Sequence, residues 1–226
     1  MQDALEPALA AIAGAPIRVT AAGRTDRGVH ARLQVVHFDT EATRPGSAWV
    51  RGVNGMLPDA VAVLWSRHVA NDFHARYSAR SRTYRYELLS RLGRPALAAT
   101  RAGWFHLPLD VEKMRQAAAM LVGEHDFSAF RSAECQARSP VRTLFGLEIE
   151  ARGERIDFVL RANAFLHHMV RNIVATLIYV GKGKHPPQWV REVLTSRDRA
   201  GAAPTFGPEG LYLEAIEYEA RWQLPA

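Results

Sequence analysis

Hydrophobic positions along the chain follow two periods, and each predicts its own kind of element. Leu5, Leu9 and Ile12 recur at helical spacing, so residues 3–13 are expected to form the end of an amphipathic helix stopped by Gly14 and Pro16. Residues 17–22 read as a strand, and Gly23-Arg24-Thr25-Asp26-Arg27-Gly28 as a glycine-bounded turn. A second strand follows over 32–40, where Leu33, Val35 and His37 alternate with Gln34, Val36 and Phe38. Ser47 is placed to cap a helix through about residue 56, and 61–68 reads as a further strand.

The second half repeats this mixture without direct self-similarity. Strands are expected over 83–89, 144–151, 155–161 and 210–218, with a turn at Gly153. Helices are expected over 110–121, 165–180 and from Pro186 or Pro187 through 194; Gly123 and Gly181 end the first two. A boundary falls near 71–81, which gives two α+β halves, 1–75 and 76–226, with largely antiparallel sheets. No low-complexity linker separates them, so the halves are expected to pack together.

Composition narrows the class. The chain has 226 residues, 48% of them hydrophobic, enough for one large core or two small ones. Lys+Arg outnumber Asp+Glu by 29 to 23, and only Lys113, Lys182 and Lys184 are lysines. Arginine offers a planar fork of donors suited to phosphate, and it stacks on flat rings. An Ala- and Arg-rich genome would give the same total, so position is more telling. Arg76, Arg80, Arg82, Arg85, Arg91, Arg94 and Arg101 cluster with Glu87 as the one acid among them, a local basic field of the kind that meets nucleic acid.

Cys135 is the single cysteine, so no intrachain disulfide forms, which fits a reducing cytoplasm. The longest apolar run, 165–180, carries His167, His168, Arg171 and Asn172, so no transmembrane span is expected. The first residues lack the basic start of a signal peptide.

Three places carry candidate chemistry. Gly23 and Gly28 bracket Asp26 and Arg24, bringing a carboxylate and a guanidinium into one small turn; a hairpin loop with solvated charges fits the same pattern. Arg171 lies among Leu166, Met169, Val170, Ile173 and Val174, so a buried Arg171 requires an acidic partner. Asp26 is one candidate, and a narrow polar edge shared with His167 and His168 is the other reading. In Arg82-Thr83-Tyr84-Arg85-Tyr86, both tyrosines share one strand face and Arg85 takes the other. Such a face can stack a nucleobase, and it can equally cover a core. His167 and His168, as neighbours on a helix, are expected to point in different directions and to chelate poorly.

The segment Gly23-Arg24-Thr25-Asp26-Arg27-Gly28-Val29-His30-Ala31 resembles the signature of the TruA-type tRNA pseudouridine synthases. Further family-like segments follow in order: Gln34-Val35-Val36-His37-Phe38, Gly52-Val53-Asn54-Gly55-Met56-Leu57-Pro58, Asp72-Phe73-His74-Ala75-Arg76 and Arg82-Thr83-Tyr84-Arg85-Tyr86. Later come Gly123-Glu124-His125-Asp126-Phe127-Ser128-Ala129-Phe130, the stretch from Asn163 to Asn172, and Gly210-Leu211-Tyr212-Leu213. The resemblance spans nearly the whole chain. It implies two RNP-like halves whose antiparallel sheets form a continuous surface with a basic cleft between them. Residues 1–75 would carry the catalytic turn and 76–226 would complete the site.

The resemblance also implies roles. Asp26 would be the carboxylate that starts cleavage of the uridine glycosidic bond, and Arg171 would hold it ionised and aimed. Tyr84 would stack on the target base, and Arg24 would occupy the space of the displaced nucleotide. The implied reaction converts uridine to pseudouridine at positions 38 to 40 of the tRNA anticodon arm, in a cytoplasmic homodimer, with no cofactor, metal or membrane. No zinc-spaced cluster and no phosphate-binding glycine loop stands in the sequence.

One departure is plain. The family pattern opens with a strand bearing Tyr-Asp-Gly and a later Gly-Trp-Gln, and neither stands in this chain. Loss of that strand would expose a sheet edge, and a tRNA-binding protein impaired in catalysis is the alternative reading. A small-substrate glycosidase would need a second carboxylate near Asp26; Asp39 and Glu41 are the near ones in sequence, and nothing places them at the turn.

Overall fold

A computed structural model describes residues 1–225 and shows a mixed α/β protein. Its regular elements are α1 (Gln2–Ala13), β1 (Thr20–Ala21), β2 (His30–Ala31), β3 (Val36–His37), β4 (Ala79–Ser90), β5 (Gly103–Phe105), α2 (Val111–Ala119), β6 (Gly123–Asp126), β7 (Val141–Arg152), β8 (Arg155–Ala162), α3 (Met169–Gly181), α4 (Trp189–Ser196) and β9 (Leu211–Tyr218).

The residues divide into two compact units. The first holds Met1–Arg24, Gln34–Arg80 and the residues from Tyr218 onward; the second holds Thr25–Leu33 and Ser81–Glu217. Against an expected break between residues 75 and 76, the chain crosses between units after Arg24, Leu33, Arg80 and Glu217. Hydrogen bonding explains the early crossing. His30 and Ala31 of β2 run parallel to Tyr212 and Leu213 of β9, which ties the Asp26 segment to the second unit.

In the first unit, α1 buries Leu5, Ala8, Leu9 and Ala13 against Ile17 and Val53. β1 and β3 form a two-stranded antiparallel ladder, Thr20 opposite His37 and Ala21 opposite Val36. The strands expected over 17–22 and 32–40 thus shrink to two residues each. The strand expected over 61–68 does not form. The Val63 N–H donates to Asn54 Oδ1 at 2.7 Å and its carbonyl accepts from Asn54 Nδ2 at 2.8 Å, so both bond to that side chain rather than to a neighbouring strand. Ser47 sits in helical backbone and caps nothing with its side chain; a wide π-type turn, Ala48–Gly52, follows it.

The second unit is built on a sheet in the order β2-β9-β4-β8-β7-β6, with β5 beside β4. β4, β8 and β7 are antiparallel neighbours, whereas β2 with β9 and β4 with β5 are parallel. The sheet is therefore mixed. Gly153, at φ 61°, makes the β7–β8 turn in the left-handed region open to glycine. One sheet face sends Tyr86, Leu88, Phe158 and Leu160 into the core. Helix α3 is buried on nearly its whole circumference against that core, and Asp110 caps α2 by accepting from the Lys113 N–H at 3.1 Å.

The opposite face carries an ionic ring across β2, β9, β4 and β8. Glu87 meets Arg32 at 2.8 Å and Arg155 at 3.0 Å, and Arg155 meets Asp157 at 2.9 Å. Arg85 lies 3.6 Å from Asp157 and 3.5 Å from Glu214, and Arg32, 3.1 Å from Glu214, closes the ring.

Candidate active site

Asp26 opens a tight turn in the second unit. The Val29 N–H donates to its carbonyl at 3.1 Å, and Gly28, two residues on, has φ 83°. A side chain there would be strained, and its Cβ would stand 3.0 Å from Pro208. β2 follows at once and fixes the turn to the edge of the large sheet.

Three side chains converge on the Asp26 carboxylate. Arg171, in the first turn of α3, donates from Nη1 to Oδ2 at 3.2 Å. His168 Nε2 lies 3.2 Å from the same oxygen, and His167 Nε2 lies 3.2 Å from Oδ1. Arg171 also donates from Nε to the Phe206 carbonyl at 2.8 Å, so its guanidinium is held at both ends. The charged side chain in this largely apolar helix has thus found an acidic partner, and that partner is Asp26.

The histidines depart from expectation, and backbone geometry is the reason. Both precede α3, which begins at Met169, so helical rotation does not separate them. His168 has φ 64°, a left-handed conformation rare outside glycine, and the two rings lie 4.0 Å apart facing one carboxylate. The segment is pinned from behind: the His167 carbonyl accepts from the Ser132 N–H at 3.0 Å, and its N–H points to Cys135 Sγ at 3.5 Å.

Burial is the first cause that lowers the His168 pKa below the ordinary histidine value, and the positive charges of Arg171 and His167 act in the same direction. Asp26 and Glu134 oppose them. His168 thus brings an imidazole, rather than a second guanidinium, to the carboxylate. Asp26, His167 and His168 are also the one group among the described residues whose ligand atoms converge as metal donors, all within 4.8 Å. The Arg171 guanidinium already occupies that carboxylate with a fixed positive charge, which works against a cation there.

Tyr84 lies on β4 opposite Leu160 of β8, and Phe165 meets its ring edge-on at 5.0 Å. Burial, with the Asp26 charge as the next cause, pushes its phenol up to about 12. Tyr86 belongs to the core instead: it is fully buried, and its hydroxyl donates to the Gly207 carbonyl at 2.9 Å. Arg24 is exposed and belongs to the first unit. Asp26, Arg171 and Tyr84 therefore lie in one unit, where Asp26 binds Arg171 directly and reaches Tyr84 through its charge.

Side-chain motifs gave no sign of the structure behind Arg171. Asn172, fully buried, donates to the Phe130 carbonyl at 2.8 Å. Its Oδ1 accepts from Thr205 at 2.7 Å and Arg199 at 3.1 Å, which fixes the segment that carries the Phe206 carbonyl. The adjacent Arg171-Asn172 pair was legible in sequence, but a backbone acceptor was not.

The linear arginine cluster is largely spoken for. Arg80 pairs with Glu219 at 2.9 Å, Arg91 with Glu154 at 3.4 Å, and Arg85 joins the ionic ring. Arg82 is buried and donates to the Asn163 carbonyl at 2.9 Å. These acceptors are distant in sequence, so a count of local charges does not show how each guanidinium is engaged; Arg76, Arg94 and Arg101 are exposed.

Comparison with known proteins defines the class. A family model described as tRNA pseudouridine synthase matches residues 117–219, which include Arg171 and both histidines. A tRNA pseudouridine synthase A from Thiobacillus denitrificans is 59% identical over 225 residues, covering all of this chain and 86% of its own length. Those of Nitrosomonas eutropha and Dechloromonas aromatica are 57% and 56% identical, again over all of this chain and 81% and 86% of theirs. The chain belongs to the tRNA pseudouridine synthase A family.

Proposed function

We propose that this protein isomerises uridine to pseudouridine in tRNA, at positions 38 to 40 of the anticodon arm. The observation that carries the reading is the Asp26 carboxylate held by Arg171, His167 and His168, each at 3.2 Å, within a chain similar end to end to synthases of that name. The reaction breaks N1–C1′, turns the base over in the pocket and joins C5 to C1′; the C5 proton leaves and N1 gains one, so no redox equivalent is needed.

Asp26 is the catalytic carboxylate in this reading, acting at C1′ or on the 2′ proton. Arg171 offsets the cost of partly burying that charge and fixes its direction. The target uridine reaches it only after leaving the helical stack, at a cost of a few kcal/mol. Tyr84 stacks on the flipped base, Arg24 fills the vacated place, and surface arginines meet the backbone phosphates. The enzyme works as a cytoplasmic homodimer on tRNA.

Mapping pseudouridine by carbodiimide labelling on an unmodified tRNA transcript tests this. Product at positions 38 to 40 is expected, and Asp26→Asn is expected to abolish it while tRNA binding persists. Turnover by Asp26→Asn would overturn the mechanism. Binding without product by the unaltered chain would leave an RNA-binding protein.

A further inference from the structure

The two oxygens of Asp26 are not equivalent. Oδ2 is engaged by both Arg171 and His168, whose side chains are 14% and 24% exposed. Oδ1 meets His167 alone, and that side chain is the most open of the three at 33%. One oxygen has two partners, and the other has one, the most exposed of the three.

The clamp also departs from ordinary backbone preference. A histidine at φ 64° costs free energy and persists where the surroundings over-determine it. Here Asn172 N–H bonds back to the His168 carbonyl at 2.9 Å and opens α3, while the 132–135 segment holds His167. The left-handed residue delivers its imidazole to the carboxylate at the point where the helix begins.

We propose that His168 is a positioning residue which, with Arg171, fixes Oδ2 of Asp26 so that Oδ1 is the oxygen presented to the substrate sugar. His167 is then the partner that yields Oδ1 when the nucleotide enters. His168 acts through Asp26 and does not touch the reacting atoms. This deepens the proposed function and rests on it.

Glycine separates side chain from backbone at this position, because it adopts φ 64° without strain. His168→Gly is therefore expected to fold with an unchanged or raised Tm. Steady-state assays on tRNA should show kcat lowered about 10- to 100-fold with KM nearly constant, the size expected when an aimed group drifts by about 1 Å. Free imidazole should restore part of the rate in His168→Gly and none in Asp26→Asn. His168→Gln, whose amide nitrogen reaches a similar place, should retain more activity than His168→Gly.

Full kcat in His168→Gly overturns the proposal. So does a loss confined to KM or Tm, or one that imidazole does not relieve, since each marks a merely structural residue. The unaltered chain is assayed alongside: if it forms no pseudouridine, the functional reading fails and not the role of His168.

Discussion

The second unit contains two polar networks built on opposite principles. The ring of Arg32, Glu214, Arg85, Asp157, Arg155 and Glu87 balances three cations against three carboxylates, and every carboxylate in it meets two arginines. The Asp26 network gives one carboxylate a single guanidinium and two imidazoles, with one oxygen meeting only the most exposed of the three. The ring joins neighbouring strands and spends its charges on one another. The site keeps a charge unspent, held in place by groups that neutralise it only in part. The presence of ion pairs therefore says little about purpose; the balance of charge and the partners of each oxygen say more.

Removing the single guanidinium should produce the largest difference between the networks. Arg171→Ala is expected to lower kcat about 100-fold or more, because the carboxylate loses its charge partner and its aim together. The partly buried Asp26 left behind should also lower stability by about 1–3 kcal/mol, read by denaturant titration. Kinetics unchanged by this variant would erase the distinction drawn here.

Glu87→Ala should do the reverse. It frees Arg32 and Arg155, which are about half-exposed, so the stability loss should be about 1 kcal/mol. Its kcat should match the unaltered chain. A fall in kcat without a fall in stability would mean that the ring, too, serves the site.

The smallest expected effect is the pH response. The folded-state pKa of His168 lies below its unfolded value of about 6.5, so the unfolded chain binds the extra proton first. Its contribution to stability is full above pH 6.5 and is lost as pH falls through the folded pKa. The kcat profile should stay level near neutrality and drop on the acid side, and His168→Gly should flatten that drop. Arg171, His167, Asp26 and Glu134 are the charges that set where it falls.

Much of the second unit was legible in the sequence. Long alternating runs around Gly153 gave the β7–β8 hairpin, and Arg171 in an apolar run required an acidic partner. The first unit was less legible, because its short β1 and β3 and the Val63 segment depend on side-chain bonds such as that from Asn54. The histidines were missed for a related reason. A left-handed residue at a helix start reverses the direction inferred from helical periodicity, and no hydrophobic pattern records a backbone angle. The arginine cluster misled because charge along the chain is not charge in space.

The knot at Asn172 has a thermal consequence. Phe206 anchors Arg171 through a backbone carbonyl, and the segment that carries it is held through Thr205 and Arg199, both bonded to Asn172, rather than by a strand. Opening of the 199–206 segment frees one end of the guanidinium while the sheet stays intact, and such local openings cost less than global unfolding. On warming, the protein should stop turning over before it melts, and cooling should bring the activity back.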